Sequence, residues 1–504
     1  MSTLIPAPTQ QPAEQQGAPS GGQTWLLILV TAVVGGIVVS AAGTHTALML
    51  ILVPMLVTVA LLSPKSLLVL LVVWMTLLGL LRRLIPGGHS AVFSGDPMLI
   101  VGPACIFFLF VVAMNRGAFH RRSALATTVL CFNVVCVLEA FNPAQGGTTV
   151  GLGGLLFVLV PMLMFWVGRV LLDDVDARRI IWVVAVLSVA SAAYGLYQEF
   201  NHFPSWDARW IASSGYTALN VGNGVVRAFG ASSSAQEYAT FLGLGVVAWL
   251  SLRRGASRFR GLLALCAAGF LAYAIYYEAQ RTLLFLGVLA VGVMFAARLR
   301  LRPFGVFLVA VLAIVGVVTF AHQLGGSSSC PPNDAACTLA NRANTAGDPL
   351  GQQSSLSGHI SETRQGIKAG YQHPLGRGTG STTLAASRFN SSSRASRGTE
   401  FDPGNAGTAF GIFGLVLYPM TLILGLRAGY RVAVRRNDTI GLFALGAMTV
   451  DLLQWLNGDL YSVTWLVWLF IGWADLQNQA IDLAETAPSP VLEPLAPGRR
   501  RWTS

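Results

Sequence analysis

The sequence predicts an all-α polytopic membrane protein with about 12–14 transmembrane helices and a long extracytoplasmic loop. Three observations carry that expectation. Of 504 residues, 54% are hydrophobic and 11% charged, where an ordinary soluble domain carries roughly 25% charged residues. Apolar runs of about 18 residues or more recur along the whole length, each able to cross ~30 Å of hydrocarbon as a helix. Most arginines stand in the short segments between those runs. That is the pattern of membrane orientation rather than of nucleic-acid binding, despite a formal net charge of +11. No Rossmann or Walker glycine fingerprint stands out, so no nucleotide pocket is expected; no cofactor or metal site is expected either.

Taken in order, residues 1–23 are rich in Pro, Gln, Ala and Gly and contain no Lys or Arg. They lack the basic start of a signal peptide and read as a disordered cytoplasmic tail. Helices are predicted near 24–43, 46–62, 66–81, 97–114, 124–140, 152–171, 180–200, 235–252, 261–277, 282–297, 304–322, 406–426, 439–456 and 461–477. The membrane domain thus spans 24–477, and 478–504 reads as a second cytoplasmic tail. With the N-terminus inside, 21 of the 33 basic residues fall on the inner side. Of the 12 left outside, seven lie in one long loop, where the orientation rule has little force. This makes the chain a multi-pass inner-membrane (plasma-membrane) protein with both termini cytoplasmic. The pair Arg82–Arg83 is the exception, placed outside beside a helix end.

Two outer loops are long, 201–234 and 323–405. Loops of that length without evident structure are functional or disordered. Within the second, 359–370 has the pattern of a short amphipathic helix at the membrane surface. Cys330 and Cys337 stand in it as Cys-Pro-Pro-Asn-Asp-Ala-Ala-Cys, and an oxidising compartment favours a disulfide between them. The other four cysteines lie in apolar runs and read as packing residues.

Ionisable groups beside a bilayer are costly, which makes each a functional candidate. Glu139, Glu199, Glu237 and Glu278 all fall near outer helix ends, with interfacial snorkelling as the ordinary reading for any one of them. Arg227 lies just ahead of the eighth helix and Arg281 opens the tenth, both against the orientation bias. Guanidinium groups bind phosphate bidentately and stay charged, so the pair suits a lipid-linked pyrophosphate. The competing reading is a salt bridge, such as Arg281 with Glu278 three residues earlier on a shared helical face. Asp451 is expected ~18 Å into its helix, with Gln454 on the same face. Trp206 and Trp210 read as an interfacial aromatic belt, with stacking on sugar rings as the alternative.

Four local patterns, in order, resemble the O-antigen ligase and polysaccharide polymerase superfamily. The stretch Arg227-Ala-Phe-Gly-Ala-Ser-Ser-Ser-Ala-Gln-Glu-Tyr-Ala is similar to that family's arginine–glycine segment before a helix. Gln280-Arg281-Thr282 is similar to its second arginine motif, and His373-Pro374-Leu375-Gly376-Arg377-Gly378-Thr379-Gly380 to its Pro-Leu-Gly-x-Gly segment. Asn405-Ala-Gly-Thr-Ala-Phe-Gly411-Ile-Phe-Gly414 resembles its closing Gly-x-x-Gly. The match covers residues 180–430 approximately. The resemblance implies a GT-C-like glycosyltransferase that uses an undecaprenyl-pyrophosphate-linked donor on the outer face. Arg227 and Arg281 would hold the pyrophosphate, supported by Glu278 and Glu237. The family's ligases carry a histidine about eleven residues before the first closing glycine, and Glu400 stands there instead. Ligase and polymerase therefore both stay open, and Glu400, Asp402 or His373 is the expected base. Gly376, Gly378 and Gly380 read as formers of a tight turn. Expected partners are the lipid-linked oligosaccharide donor, a glycan, lipid or protein acceptor and membrane lipids, with no nucleic acid. The rival readings are a transporter or flippase for a lipid-linked envelope glycan and a non-catalytic envelope-assembly protein.

Overall fold

The computed structural model describes residues 44–85, 96–214, 220–222, 225–324, 330–331, 334–344, 356–389 and 398–486. The expected first helix, 24–43, and the expected N-terminal tail lie outside the described residues. Eighteen α-helices are described. The first seven are α1 (Thr44–Leu62), α2 (Pro64–Leu84), α3 (Val101–Asn115), α4 (Ala124–Glu139), α5 (Thr148–Phe157), α6 (Leu159–Val170) and α7 (Asp174–Asn201). They are followed by α8 (Ser205–Ser214), α9 (Ala235–Leu252), α10 (Arg258–Glu278), α11 (Arg281–Arg298) and α12 (Pro303–Leu324). The last six are α13 (Ala335–Asn344), α14 (Leu356–Gln372), α15 (Leu384–Phe389), α16 (Asp402–Arg436), α17 (Thr439–Val450) and α18 (Tyr461–Thr486).

Among the described residues, eight helical stretches are long and apolar enough to cross a membrane: α1, α2, Pro97–Asn115, Thr148–Val170, α7, α10, α11 and α16. Shorter apolar helices add Ala124–Glu139, Phe304–Thr319 and Thr439–Val450. The chain is an all-α polytopic membrane protein. Its centre is a dense wall in which α18 lies on α6. Glycines set that distance, because a Cβ on Gly168 would fall 1.9 Å from the Leu469 carbonyl oxygen and one on Gly472 1.9 Å from that of Phe165. Such close approach is how helices associate where no water drives them together. Trp166, Trp465, Trp468 and Trp473 fill the space beside it.

Several boundaries differ from the sequence expectation. The helix expected at 406–426 starts at Asp402 and is interrupted at Gly411, where φ is 60° and ψ −138°. The chain folds back there, since a Cβ on Gly414 would lie 2.1 Å from the Ala406 carbonyl oxygen. α16 is therefore a short arm, 402–410, reversed into a long one, 412–436. α17 stops at Val450, so Asp451 caps the helix instead of lying within it, and Gln454 sits in the following turn. α18 runs on to Thr486, which moves the start of the C-terminal tail outward. The two long loops also hold secondary structure. The first carries α8 and a two-stranded antiparallel ladder, β1 (Asn220–Gly222) with β2 (Val225–Val226), in register Asn220 to Val226. The second carries α13, α14 and α15, and α14 packs along α16.

The two ends of the bundle differ in chemistry. One gathers paired charges: Lys65 with Asp173, Arg436 with Asp174 and Asp438, and Arg431 and Arg435 with Glu485. Arg169 is buried there at 3.0 Å from Asp475 and donates 3.0 Å to the Ala118 carbonyl. The other end carries both long loops and the candidate site.

Candidate functional site

Arg227 follows β2 directly, and the segment after it is fastened by an unusually complete set of bonds. Gln198 of α7 accepts from the Phe229 and Gly230 amides at 3.1 and 2.8 Å. Its own amide donates 2.7 Å to Asp207 of α8. Arg83 lies 2.8 Å from the other Asp207 oxygen, with both side chains wholly buried. Its remaining N–H groups donate 2.5 Å to the Gly230 and Ser232 carbonyls, and its plane lies over Phe229 at 4.6 Å. Arg82 pairs with Asp96 at 2.5 Å, donates 3.3 Å to the Ser233 hydroxyl and lies over Trp210 at 4.9 Å. Arg82 and Arg83, the pair that broke the expected orientation pattern, thus staple the Arg227 loop to the end of α2. Trp206 donates 2.9 Å to the Tyr194 hydroxyl and Trp210 donates 3.3 Å to the Ser233 carbonyl, so both indoles are structural parts of that loop.

Arg227 approaches Glu278 at 3.5 Å, with the arginine side chain 12% exposed and the glutamate wholly buried. That is longer than the ~2.7–2.9 Å of a tight charge-assisted bond. Arg227 Nε is buried with no hydrogen-bond partner among the described residues. The expected sharing of one helical face by Glu278 and Arg281 does not occur. Ala279 takes a left-handed conformation, φ 61°, which ends α10. The chain turns, Gln280 N–H donates 2.9 Å to Glu278, and Arg281 opens a new helix. The break sends Glu278 toward Arg227 and leaves Arg281 within electrostatic reach of both Arg227 and Glu400.

Glu400, just ahead of α16, closes the group. One carboxylate oxygen accepts from the Thr282 hydroxyl at 3.2 Å, and the other lies 2.8 Å from His359 Nε2. Burial by itself pushes the Glu400 carboxyl up. The His359 bond and charge, the Thr282 hydroxyl and the Arg227 charge outweigh it, and the group sits below the usual 4.5. His359 is raised above 6.5, first by its hydrogen bond to Glu400 and then by the charges of Glu400 and Glu362, against burial. The sequence pattern called for a histidine at the position of Glu400. Here the histidine comes from α14 and meets Glu400 through space. The only signal for it in the sequence is that vacancy, together with an amphipathic segment that begins at His359.

α14 reaches this place because glycines let it. A Cβ on Gly366 would fall 2.5 Å from the Gly404 carbonyl oxygen, and one on Gly370 3.0 Å from Gly407 Cα. At its far end the Pro-Leu-Gly-x-Gly segment locks into the fold-back. The Arg377 and Gly378 amides donate to the Ala409 carbonyl at 3.2 and 3.1 Å, and Ile412 N–H donates 3.0 Å to the Pro374 carbonyl. Gly376 and Gly378 have φ of 83° and 97°, consistent with a turn-forming role. Gly380 lies so close to Val150 that a Cβ would sit 2.2 Å from its carbonyl oxygen.

The other expected site residues fall elsewhere. Asp402 is fully buried. Its amide donates 2.8 Å to the Leu453 carbonyl, and its side chain accepts 2.7 Å from Leu456 N–H. It anchors the 451–456 turn and has no open side for an acceptor. His373 is exposed and bonded to Arg377 at 2.9 Å. At 1.5 Å per residue along α14 it lies ~21 Å from His359, too far to act with Glu400. Glu237 is spent on backbone instead of supporting the arginines: its carboxylate accepts from the Ser233 and Ser462 amides at 3.1 Å each, and its own amide donates 3.2 Å to Ser234, which caps α9. Glu139 accepts 2.6 Å from Asn142. Cys330 and Cys337 are bonded to each other.

No family model matches the chain, and no curated protein matches it. Two guanidinium groups, a carboxylate–imidazole pair and a hydroxyl come together from the Arg227 loop, the start of α11, the lead-in to α16 and α14. Among the described residues, no group of three or more His, Cys, Asp or Glu is arranged to hold a metal ion.

Proposed function

We propose that this protein is a membrane glycosyltransferase that transfers or polymerises a glycan from an undecaprenyl-pyrophosphate-linked donor on the extracytoplasmic face. The observation that carries the reading is the meeting of Arg227, Arg281 and the Glu400–His359 pair at the end of the bundle away from the paired charges. The excess of arginines in the short loops at the opposite end supports an outside location for it.

In the proposed reaction the acceptor hydroxyl attacks the anomeric carbon. A C–O bond forms there as the bond to the diphosphate oxygen breaks. Negative charge grows on the leaving diphosphate, and Arg227 and Arg281 are fixed cations that lower that barrier. Glu278 keeps Arg227 in place through a loose contact that a diphosphate can outbid. Glu400 takes the acceptor's proton, a role supported by the O–H bond that one edge of its carboxylate already accepts from Thr282. His359 fixes the other edge.

The test is transfer in membranes. Arg227→Ala and Arg281→Ala should each lower glycan transfer by about 10²-fold or more while the protein still accumulates and lipid-linked donor builds up. Normal transfer by both variants ends the proposal. A transporter reading draws on the fold-back of α16, since broken helices line many transport sites. It requires movement of an unchanged lipid-linked glycan across liposomes containing the purified protein.

A further inference from the structure

The two arginine segments share a neighbour that the transfer chemistry does not use. Leu339 of α13 is wholly buried and packs with Val225 and Ala279, with Tyr276 and Leu284 beside them. Val225 precedes Arg227 by two residues, and Ala279 precedes Arg281 by two. Leu339 therefore shares one apolar cluster with the lead-in to each arginine. Ala279 holds a left-handed backbone, φ 61°, which a residue with a Cβ keeps only where its surroundings fix it. The direction in which α11 leaves, and with it the position of Arg281, is decided at that residue.

α13 also packs on α7, α10, α12 and β2. A helix of 10 residues is not stable alone and takes its order from such contacts. Its start is fastened covalently. The Cys330–Cys337 bond ties the chain ahead of α13 to its first turn. Cys337 N–H donates 2.9 Å to Asp334, and the Asn341 amide lies 3.1 Å from Cys330 Sγ. A crosslink here narrows the freedom of the segment that carries Leu339.

We propose that α13 is a disulfide-fastened clamp that sets the spacing of the Arg227 and Arg281 guanidinium groups, with Leu339 as its positioning residue. The clamp rests on the diphosphate reading of those two arginines. Its partner chemistry is the same prenyl diphosphate, and its consequence is that reduction of one bond outside the membrane weakens the grip on the donor.

The experiment uses the full-length protein in nanodiscs, with undecaprenyl pyrophosphate as probe and affinity and melting temperature as readouts. Leu339→Ala, and separately Cys330→Ser with Cys337→Ser, should bind the probe about tenfold more weakly, as expected when a binding group shifts by a fraction of an ångström. Leu339→Met should restore binding. In an Arg227→Ala background Leu339→Ala should cost nothing further, an outcome that mere loss of folding does not produce. Wild-type protein treated with a reductant repeats the comparison without any substitution. Unchanged affinity in the Leu339→Ala, serine and reduced forms, with loss in Arg227→Ala, overturns the clamp and leaves the diphosphate reading standing. No binding by wild type, or no effect of Arg227→Ala, overturns the diphosphate reading and the clamp with it.

Discussion

Glu400 shows how much a single carboxylate takes from its neighbours. Its value lies below 4.5 and that of His359 above 6.5, so between the two shifted values both are charged. The ion pair's contribution to stability is lost below that window, as Glu400 protonates, and above it, as His359 loses its proton. In the proposed reaction transfer needs ionised Glu400, so activity should hold at pH 5 and fall only as pH drops through the lowered value. His359→Ala removes a partner that holds Glu400 down, and the acid limb of the pH–rate profile should move to higher pH. An acid limb that stays where it was would separate Glu400 from the rate. Glu400→Gln should lower transfer by about 10²–10⁴-fold with the protein still folded. Arg83 makes a different residue-scale case. Replacing it with Ala leaves Asp207 buried without its cation, and removal of one partner of a buried pair costs about 3–5 kcal/mol. A large fall in melting temperature is expected, and a change within 1 °C or so would show that the staple contributes little.

At the scale of elements, the glycines of α14 and α16 decide whether the site exists. Gly411 turns the chain in a left-handed conformation, and any Cβ there would meet the Pro374 carbonyl oxygen at 2.1 Å. Gly411→Ala should therefore disturb both the fold-back and the turn it locks into, at a cost of at least about 1–2 kcal/mol from the backbone alone. Gly366→Leu should push α14 off the short arm of α16 and carry His359 away from Glu400. Transfer should fall more than melting temperature does, because the bundle core lies elsewhere. Full activity in Gly366→Leu would show that the helix contact is dispensable. The fold-back was not readable in the sequence. A Gly-x-x-Gly pattern fits a straight helix as well as a bent one, and only the packing of Pro374–Gly378 against Ala409 selects the bend. The beginnings and ends of apolar helices were readable, because length and hydropathy are properties of the local chain.

For the whole molecule, the separation of the two ends is the feature on which orientation depends. Ser361 stands exposed near His359, and Arg253 is exposed at the end that carries the paired charges. In intact cells a membrane-impermeant maleimide should label Ser361→Cys and leave Arg253→Cys unlabelled until the membrane is opened, both measured over the background of the native cysteines. Labelling in the reverse order would put the candidate site in the cytoplasm and remove the argument for a lipid-linked donor on the outer face.

Read alone, the chain already says that it crosses a membrane many times and that Arg227 and Arg281 are out of place for ordinary spans, while Glu400 came from the resemblance of a motif. Those are local properties, summed over a helix length or read from one position. Only the tertiary structure decided that Glu278 turns to Arg227 instead of Arg281, because Ala279 breaks the helix between them. It also decided that Asp402 is a buried anchor and that His359 reaches Glu400. Each of these depends on segments far apart in the chain being brought together. That is settled by how closely glycine-bearing backbones can approach, which no run of neighbouring residues encodes.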